Sequence, residues 1–144
     1  MNLPVHRIVV PVDFSDRSLD AVDVAKGLLA EGGQLRVVHV LAPIVATEPG
    51  VIWGTVDETS RHEHAEEALA TALAERGHGD IPAEVAMATS GNAAWEVVKL
   101  AEKHDAELIV LPSHGRSGLS RLAIGSVAER VVRYAHCPVL VLRQ

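Results

Sequence analysis

The sequence predicts an α/β fold, a doubly wound, Rossmann-like sheet of five parallel strands in the order 3-2-1-4-5, with residues 1–144 forming one domain. Two observations predict it. Short runs rich in Val and Ile alternate with amphipathic segments, which gives the order βαβαβαβαβ. Aromatic residues make up only 3% of the chain while 48% is apolar, so Val, Leu, Ile and Ala must fill the core, as in buried parallel strands.

The spacing of apolar residues gives the first three elements. Residues 7–12 (RIVVPV) form a β-branched run that is too short for a helix and typical of a buried strand. Over residues 19–29, apolar side chains recur at helical spacing, and Gly32 and Gly33 are expected to end this helix. Residues 35–41 predict the second strand.

The rest of the chain continues the alternation. Residues 42–57 predict a long loop containing Trp53, and loops of this length are uncommon without a function. The later predicted elements are a helix at about 58–76, a strand at 82–89, a helix that Asn92 opens, a strand at 106–112, a helix at about 127–136 and a strand at 138–143.

Composition and charge exclude several classes of protein. The formal charge of −6 argues against a basic surface for nucleic acid. Residues 113–136 nevertheless carry four arginines against one acid, which favours a small anionic ligand. Cys137 is the single cysteine, so no intrachain disulfide forms, and its apolar neighbours predict an inert buried thiol. No secretion signal or membrane-spanning run is present, so a cytoplasmic protein that binds no membrane is expected.

The predicted topology places a ligand site at one edge of the sheet. In doubly wound sheets, ligands bind beyond the carboxyl ends of the strands, where the strand order reverses. With the order 3-2-1-4-5, that crevice lies between the first and fourth strands. The residues that follow Val12 and Leu111 are therefore the first candidates.

The glycine-rich segment 113–129 is the strongest candidate for an anion site. Gly115, Gly118 and Gly125 leave main-chain N–H groups accessible to a phosphate chain. Ser126 as a helix cap, with Glu129 three residues on, predicts a capping box at a helix N-terminus that attracts anions. The Gly125→Val substitution is accordingly expected to abolish binding by filling the space that the phosphates need, with little change in the stability of the protein. The alternative is that this segment is only a loop and a good cap.

Asp13, directly after the first strand, is the second candidate. Its carboxylate could accept hydrogen bonds from ribose hydroxyls or adenine N–H groups, or hold a metal ion through water. The alternative is that Asp13, Ser15 or Asp16 only caps the next helix.

These segments resemble the universal stress protein family. The likeness runs from RIVVPVDFSDRS through LRVVHVLAP to SHGRSGLSRLAIGSVAERVVRYAHCPVLVLR. The last stretch is similar to the motif G-x2-G-x9-G-[S/T] of the family's nucleotide-binding branch, with Gly115 as the second glycine and Gly125-Ser126 at the end. Pro112 stands where the motif has its first glycine, which removes one N–H donor.

The resemblance implies an adenine nucleotide α-hydrolase-like fold and a stress-response regulator that binds ATP or a related adenine nucleotide, with Mg or Mn as the accompanying ion. It implies that the adenine and ribose side is formed by Pro11, Val12, Asp13 and Val40, the ribose and phosphate side by Leu111, Pro112, Gly115, Arg116 and Gly118, and the phosphate end by Gly125, Ser126, Val127 and Ala128. It also implies a homodimer joined through strand 138–143, which would cover an apolar edge.

Two alternatives of function stay open beside this interpretation. In the family's non-nucleotide branch, the same fold is a dimeric protein-interaction module, and Pro112 favours that branch. Efficient ATP hydrolysis is not predicted, because no residue stands out as a general base; slow turnover stays open. A hydrolytic triad of Ser113, His114 and Asp13 is disfavoured, since neighbouring residues are expected to point apart, G-x-S-x-G is absent and no third group is placed to orient His114.

The remaining histidines are predicted to be structural. His62 and His64 lie too far apart around a helix to bind one metal ion, so HEHAEE is interpreted as a solvated helix face. His39 is predicted to be a packed core histidine.

Overall fold

The computed structural model describes residues 1–44, 54, 57–89, 91–114 and 124–143. The strands are β1 (Val5–Pro11), β2 (Leu29–Leu41), β3 (Ala83–Met87), β4 (Leu108–Pro112) and β5 (Val139–Leu142). The helices are α1 (Asp16–Leu28), α2 (Glu58–Glu75), α3 (Ala93–Lys103) and α4 (Ser126–Tyr134). The predicted long loop lies mostly outside the described residues, as do Gly115, Arg116 and Gly118.

The strands form one parallel sheet in the order β3-β2-β1-β4-β5. This confirms the predicted fold class and strand order. β1 lies at the centre and its residues Ile8, Val9 and Val10 are fully buried, because helices cover both faces of a parallel sheet. In the described part of the chain, no helix is long and apolar enough to cross a membrane.

Alternating side chains divide the core into two clusters, one on each face of the sheet. On one face, Val10 and Val37 pack with residues of α1 and α2, such as Val22 and Leu69. On the other face, the core is formed by Val9, Val38, Ile109, Leu111, Ala94, Val97, Ala128 and Val131. The second cluster, called here the α3/α4 core, reaches the carboxyl ends of β1 and β4 and supports the candidate site.

The predicted end of α1 at Gly32-Gly33 is wrong. The helix ends at Leu28, and Leu29 already has extended backbone angles and pairs with Val5 of β1. The helical spacing up to Leu29 is misleading because Leu29 and Ala30 pack at the end of the sheet instead of on the helix. Gly32, with a φ of 72°, turns the chain within the irregular first part of β2.

β2 begins at Leu29 instead of residue 35, because the segment after α1 already pairs with β1. The bounds of the remaining strands differ from the prediction by one or two residues. β1 covers residues 5–11 instead of 7–12, and β3 ends at Met87 instead of residue 89. β4 begins at Leu108 instead of residue 106, and β5 covers Val139–Leu142 instead of 138–143. Spacing alone rarely fixes such ends, because they depend on where neighbouring strands stop pairing.

Candidate functional site

A crevice opens between β1 and β4 at the carboxyl edge of the sheet. The two strands pair only at Ile8 with Leu108 and Val9 with Ile109. Both continue beyond these pairs, β1 to Pro11 and β4 to Pro112, without further pairing to each other. The strand order reverses here, so the gap is the kind of crevice in which doubly wound sheets bind ligands.

β2 forms one wall of this crevice because it extends past β1. The last paired residues are Pro11 and Val38, and the N–H of Val12 donates to the carbonyl of Val38 at 2.8 Å. Strand peptides alternate in direction, so the main chain of Val40 faces the same side as that of Val38, beyond the end of β1. The side chain of Val40 packs against the α3/α4 core. Val40 thus presents its peptide groups and an apolar surface toward the crevice.

Asp13 lies in the turn between β1 and α1, and Ser15 holds its carboxylate. Asp13 Oδ1 accepts from the Ser15 N–H at 3.0 Å and from the Ser15 hydroxyl at 2.5 Å. Ser15 is also the N-cap of α1, since its hydroxyl oxygen accepts from the N–H of Ser18. Of the three residues considered as caps, Ser15 is therefore the cap, and Asp13 is fixed in position by it.

His39 holds the turn between β1 and α1 in place through a hydrogen bond, a role that the sequence analysis did not predict. Its Nδ1 lies 2.7 Å from the carbonyl oxygen of Val12, so Nδ1 carries the proton and donates, because a carbonyl only accepts. The imidazole also lies 4.5 Å from the ring of Phe14, which has a φ of 65°. His39 is packed as predicted, but it is half-buried, and its hydrogen bond anchors the candidate site.

The α4 N-terminus forms the opposite side of the site, and its capping differs from the prediction. Gly125 is the N-cap, with no side-chain hydrogen bond, and Ser126 is the first helical residue. Glu129 pairs with Arg133 on the next turn instead of reaching back. The predicted capping box is therefore wrong, and the first turn of α4 has no side-chain acceptor from its own N-cap.

A close main-chain contact requires a glycine at position 125. The backbone of Gly125 is extended, with a φ of −66°. Its N–H donates to the Ser113 carbonyl oxygen at 2.6 Å, and a Cβ on Gly125 would lie 2.9 Å from the same oxygen. Such a contact forces the backbone to shift. The expectation that Gly125→Val leaves stability nearly unchanged is therefore not supported by this geometry.

Pro112 is compatible with β4 because its nitrogen faces the crevice. The N–H groups of Ile109 and Ser113 donate toward β5, to the carbonyls of Pro138 and Leu142. Residue 112 therefore faces the opposite side, toward β1, at a position beyond the last β1–β4 pair. The proline removes no hydrogen bond from the sheet, and the missing N–H is one that would have faced the crevice.

The structure brings some of the predicted site residues together. Leu111, Ala128 and Val40 meet at the α3/α4 core, while the side chain of Val12 packs on the opposite face, so only its main chain can reach the crevice. Val127 is 45% exposed.

The rival constellations have structural roles. His62 Nε2 lies 2.9 Å from the carbonyl of Val85 and links α2 to β3. Within the described ranges, no group of three or more His, Cys, Asp or Glu residues could hold a metal ion. Burial raises the pKa of the Cys137 thiol, which is half-buried. Its thiolate form is therefore disfavoured, in line with the predicted inert thiol.

Ser113 and His114 were expected to point apart, and this is wrong. Ser113 Oγ lies 3.1 Å from His114 Nδ1. Both residues follow the end of β4 at Pro112, so the alternation of a strand no longer applies to them. The pair lies beside the start of α4, where the His114 ring approaches Gly125.

Comparison with known proteins decides the family. The sequence profile of the universal stress protein family matches residues 4–143. The chain belongs to this family. Among its relatives, a universal stress protein of Methanocaldococcus jannaschii is 40% identical over 144 residues, covering 96% of this chain and 82% of the relative. One from Thermus aquaticus is 34% identical, covering 94% and 97%.

Solved structures of universal stress proteins share the fold. One from Lactobacillus plantarum superposes with a TM-score of 0.71 at 24% identity, covering 99% and 100% of the two chains. One from Archaeoglobus fulgidus in complex with dAMP has a TM-score of 0.60 at 27% identity, covering 94% and 95%. One in complex with cAMP has a TM-score of 0.63 at 22% identity, covering 96% and 97%. The likenesses below 25% identity show the fold alone.

Proposed function

We propose that this universal stress protein is a stress-response regulator that binds an adenine nucleotide, with ATP as the preferred form, in the crevice between β1 and β4. The phosphates lie against the N-terminus of α4, and the base lies toward β2. Occupancy of the site then regulates the surface that the protein offers to its partners.

One observation carries the proposal: the N-terminus of α4 lies beside the crevice, and its N-cap Gly125 supplies no side-chain hydrogen bond. The first N–H groups of a helix have no partner within the helix. The Gly125 N–H donates to the Ser113 carbonyl, and the N–H groups of Ser126, Val127 and Ala128 have no partner within the part of the chain that the structure describes. Together with the helix dipole, such N–H groups bind phosphate oxygens. In the glycine-rich segment, Gly115, Arg116 and Gly118 are proposed to complete the phosphate side.

The base and ribose are proposed to lie against the other wall. The main chain of Val40 offers hydrogen-bonding groups beyond the end of β1, and the side chains of Val40 and Leu111 offer an apolar surface for a purine ring. Asp13, oriented by Ser15, is the proposed acceptor for the ribose hydroxyls. Pro11, Pro112 and the main chain of Val12 line the crevice between these walls.

The relatives support an adenine ligand. The family members solved with dAMP and cAMP share this fold, and the dAMP complex is the more similar in sequence. Both ligands carry an adenine base and a single phosphate. Because neither ligand carries a triphosphate, the preference for ATP is proposed from the residues of this chain and not from these relatives. A Mg or Mn ion is proposed to accompany the phosphates, with Asp13 as a ligand through water.

The first experiment asks whether the protein carries a nucleotide. Freshly purified protein is denatured, and its supernatant is analysed by ion-exchange chromatography. About one adenine nucleotide per chain supports the proposal. Melting is then measured with MgATP, MgGTP and magnesium tripolyphosphate. At 100 times the Kd, a ligand stabilises the folded state by about 2.7 kcal/mol. ATP should raise the Tm most, because only ATP offers both the adenine and the phosphates.

The alternative is a dimeric protein-interaction module that binds no nucleotide. Pro112 favours it, because this residue offers the crevice no N–H. No nucleotide in the supernatant, together with a Tm that ATP leaves unchanged, would replace the proposal with this alternative. In both cases we propose a cytoplasmic homodimer joined through β5, which within the described ranges pairs with β4 and with no other strand.

A further inference from the structure

A second cavity lies at the amino edge of the sheet, at the opposite end of the strands from the nucleotide crevice. Its volume is about 360 Å³. It is lined by Arg7 and Ile8 near the start of β1, by Gly33–Arg36 of β2 and by Asp80–Pro82 before β3. Lys26 of α1 and His104 after α3 close it from the two faces of the sheet. Its size lies within the range of pockets that bind small molecules.

An irregularity in strand pairing helps to form this cavity. Val5 pairs with Leu29, but Arg7 pairs with Gln34, so β2 contains extra residues between the two pairs. Gly33 lies in this irregular part, where a Cβ would meet the carbonyl oxygens of Ala30 and His6 at 2.9 Å. The cavity wall is thus a tightly packed main chain that admits only glycine at this position.

Two cations at the cavity have no acidic partner among the described residues. Arg36 is half-buried and Lys26 is exposed, and neither forms an ion pair within the described ranges. A partly buried charge without a counter-charge is costly, so an anionic ligand would be stabilising here. Asp80 is the one acid in the lining, and it is exposed.

The other two basic groups of the lining are held in place by the protein. Arg7 pairs with Glu107 at 2.7 Å and donates from Nε to the Asp105 carbonyl. His104 Nε2 lies 2.7 Å from Glu84, which also binds Lys103. These contacts hold the Arg7 and His104 side chains in place at the cavity wall. The attraction for an anion therefore comes from Arg36 and Lys26.

We propose that this cavity binds a small organic dianion, a dicarboxylate or a phosphate monoester, through Arg36 and Lys26. The arginine guanidinium matches a carboxylate or phosphate with two parallel hydrogen bonds, and the lysine adds a point charge. Ile8, Leu35 and Ile81 offer an apolar surface for the carbon skeleton of the ligand. The site is separate from the nucleotide crevice and does not depend on it.

The test is a titration of 15N-labelled protein with succinate and, separately, with glycerol phosphate, at constant ionic strength. At least one probe should give saturable shifts of the Gly33, Gln34 and Ile81 amides, and which probe binds identifies the acid. Arg36→Gln should weaken binding at least about tenfold, and Lys26→Gln with Arg36→Gln should abolish it. Arg17→Gln, which removes the same charge at the other end of α1, is the control and should bind like the wild type.

Two results would overturn this proposal. One is that neither anion gives saturable shifts at these amides. The other is that Arg36→Gln and Lys26→Gln, each with a spectrum of a folded protein, bind as tightly as Arg17→Gln. Neither result bears on ATP binding, because the nucleotide site lies at the other edge of the sheet.

Discussion

The N–H of Gly125 donates to the carbonyl oxygen of Ser113 at 2.6 Å, and this bond joins the start of α4 to the end of β4. The same oxygen would lie 2.9 Å from a Cβ at position 125. The last glycine of the motif is therefore needed for the fold itself, before any ligand is considered. By fixing the start of α4 beside the crevice, it also positions the helix N–H groups for the proposed phosphates.

Gly125→Ala should therefore destabilise the protein. The added Cβ forces the Ser113 carbonyl away, at a cost of about 1–3 kcal/mol, measured by urea unfolding. The matched control is Gly27→Ala on α1, where a Cβ meets nothing within 4 Å and the helix gains about 0.5–1 kcal/mol. Equal stability of Gly125→Ala and the wild type would contradict the close contact.

Replacing Pro112 should strengthen nucleotide binding. Pro112→Ala restores an N–H on the crevice side of β4, and a hydrogen bond from it would tighten ATP by about 0.5–1.5 kcal/mol, measured by isothermal titration. Pro112→Gly is the comparison, because it restores the same N–H and adds backbone freedom. If only the glycine variant binds more tightly, the freedom of the backbone matters and the donor does not.

The stability of the protein should depend on Glu84 below neutral pH. Burial acts to raise the pKa of Glu84, but hydrogen bonds from Lys103 and His104 outweigh it and hold this pKa below its ordinary value. The lowered pKa stabilises the folded state above the unfolded pKa, and the stabilisation is lost as pH falls through the folded pKa. Glu84→Gln should thus cost about 1 kcal/mol at neutral pH.

This difference should disappear in acid. Urea unfolding of both proteins from about pH 7 to about pH 3 should show the wild type losing its advantage below about pH 4.5. A difference that persists unchanged at about pH 3 would mean that Glu84 stabilises through packing instead of through its charge. Glu31→Gln, at an exposed position, is the control and should show no such dependence.

The proposed homodimer depends on the edge of β5 that faces away from β4, with which no strand of the described residues pairs. Val141→Glu places a charge on this strand and should give monomers by sedimentation analysis, with circular dichroism checking that the chain is folded. Val132→Glu is the control, because Val132 is 49% exposed and belongs to α4 and not to β5. Dimers that survive Val141→Glu, or that only Val132→Glu dissociates, would mean that another interface is used.

The sequence predicts the sheet because β-branched runs and helical spacing are local signals. The β-branched run that contains Val9 and Val10 predicts a buried strand, and both residues are buried in the structure. The alternation of strands and helices then limits the number of possible sheet topologies. The end of α1 is different, because Leu29 continues the apolar spacing of the helix and only its pairing with Val5 makes it a strand residue. No local pattern carries that information.

The candidate site is likewise predictable only in part. The glycine and serine at 125–126 show where α4 begins, but the contact between Gly125 and Ser113 depends on how the chain returns to the end of β4. The bond from His39 to Val12 also joins distant segments. The position of His39, next to Val40 at the end of β2, is consistent with a hydrogen bond to the turn after β1. The same position is equally consistent with simple packing in the core, so the sequence alone does not distinguish the two roles. Contacts of this kind require the folded structure.

The central claim is that main-chain N–H groups at the start of α4 bind the phosphates, and one pair of variants tests it directly. Ser126→Pro removes the N–H of the first helical residue, where proline is favoured and the preceding Gly125 is already extended. Ser126→Ala keeps the N–H, and both variants lack the hydroxyl. Isothermal titration with MgATP should show Ser126→Pro binding at least about tenfold more weakly than Ser126→Ala. Equal affinities of two folded variants would contradict the claim.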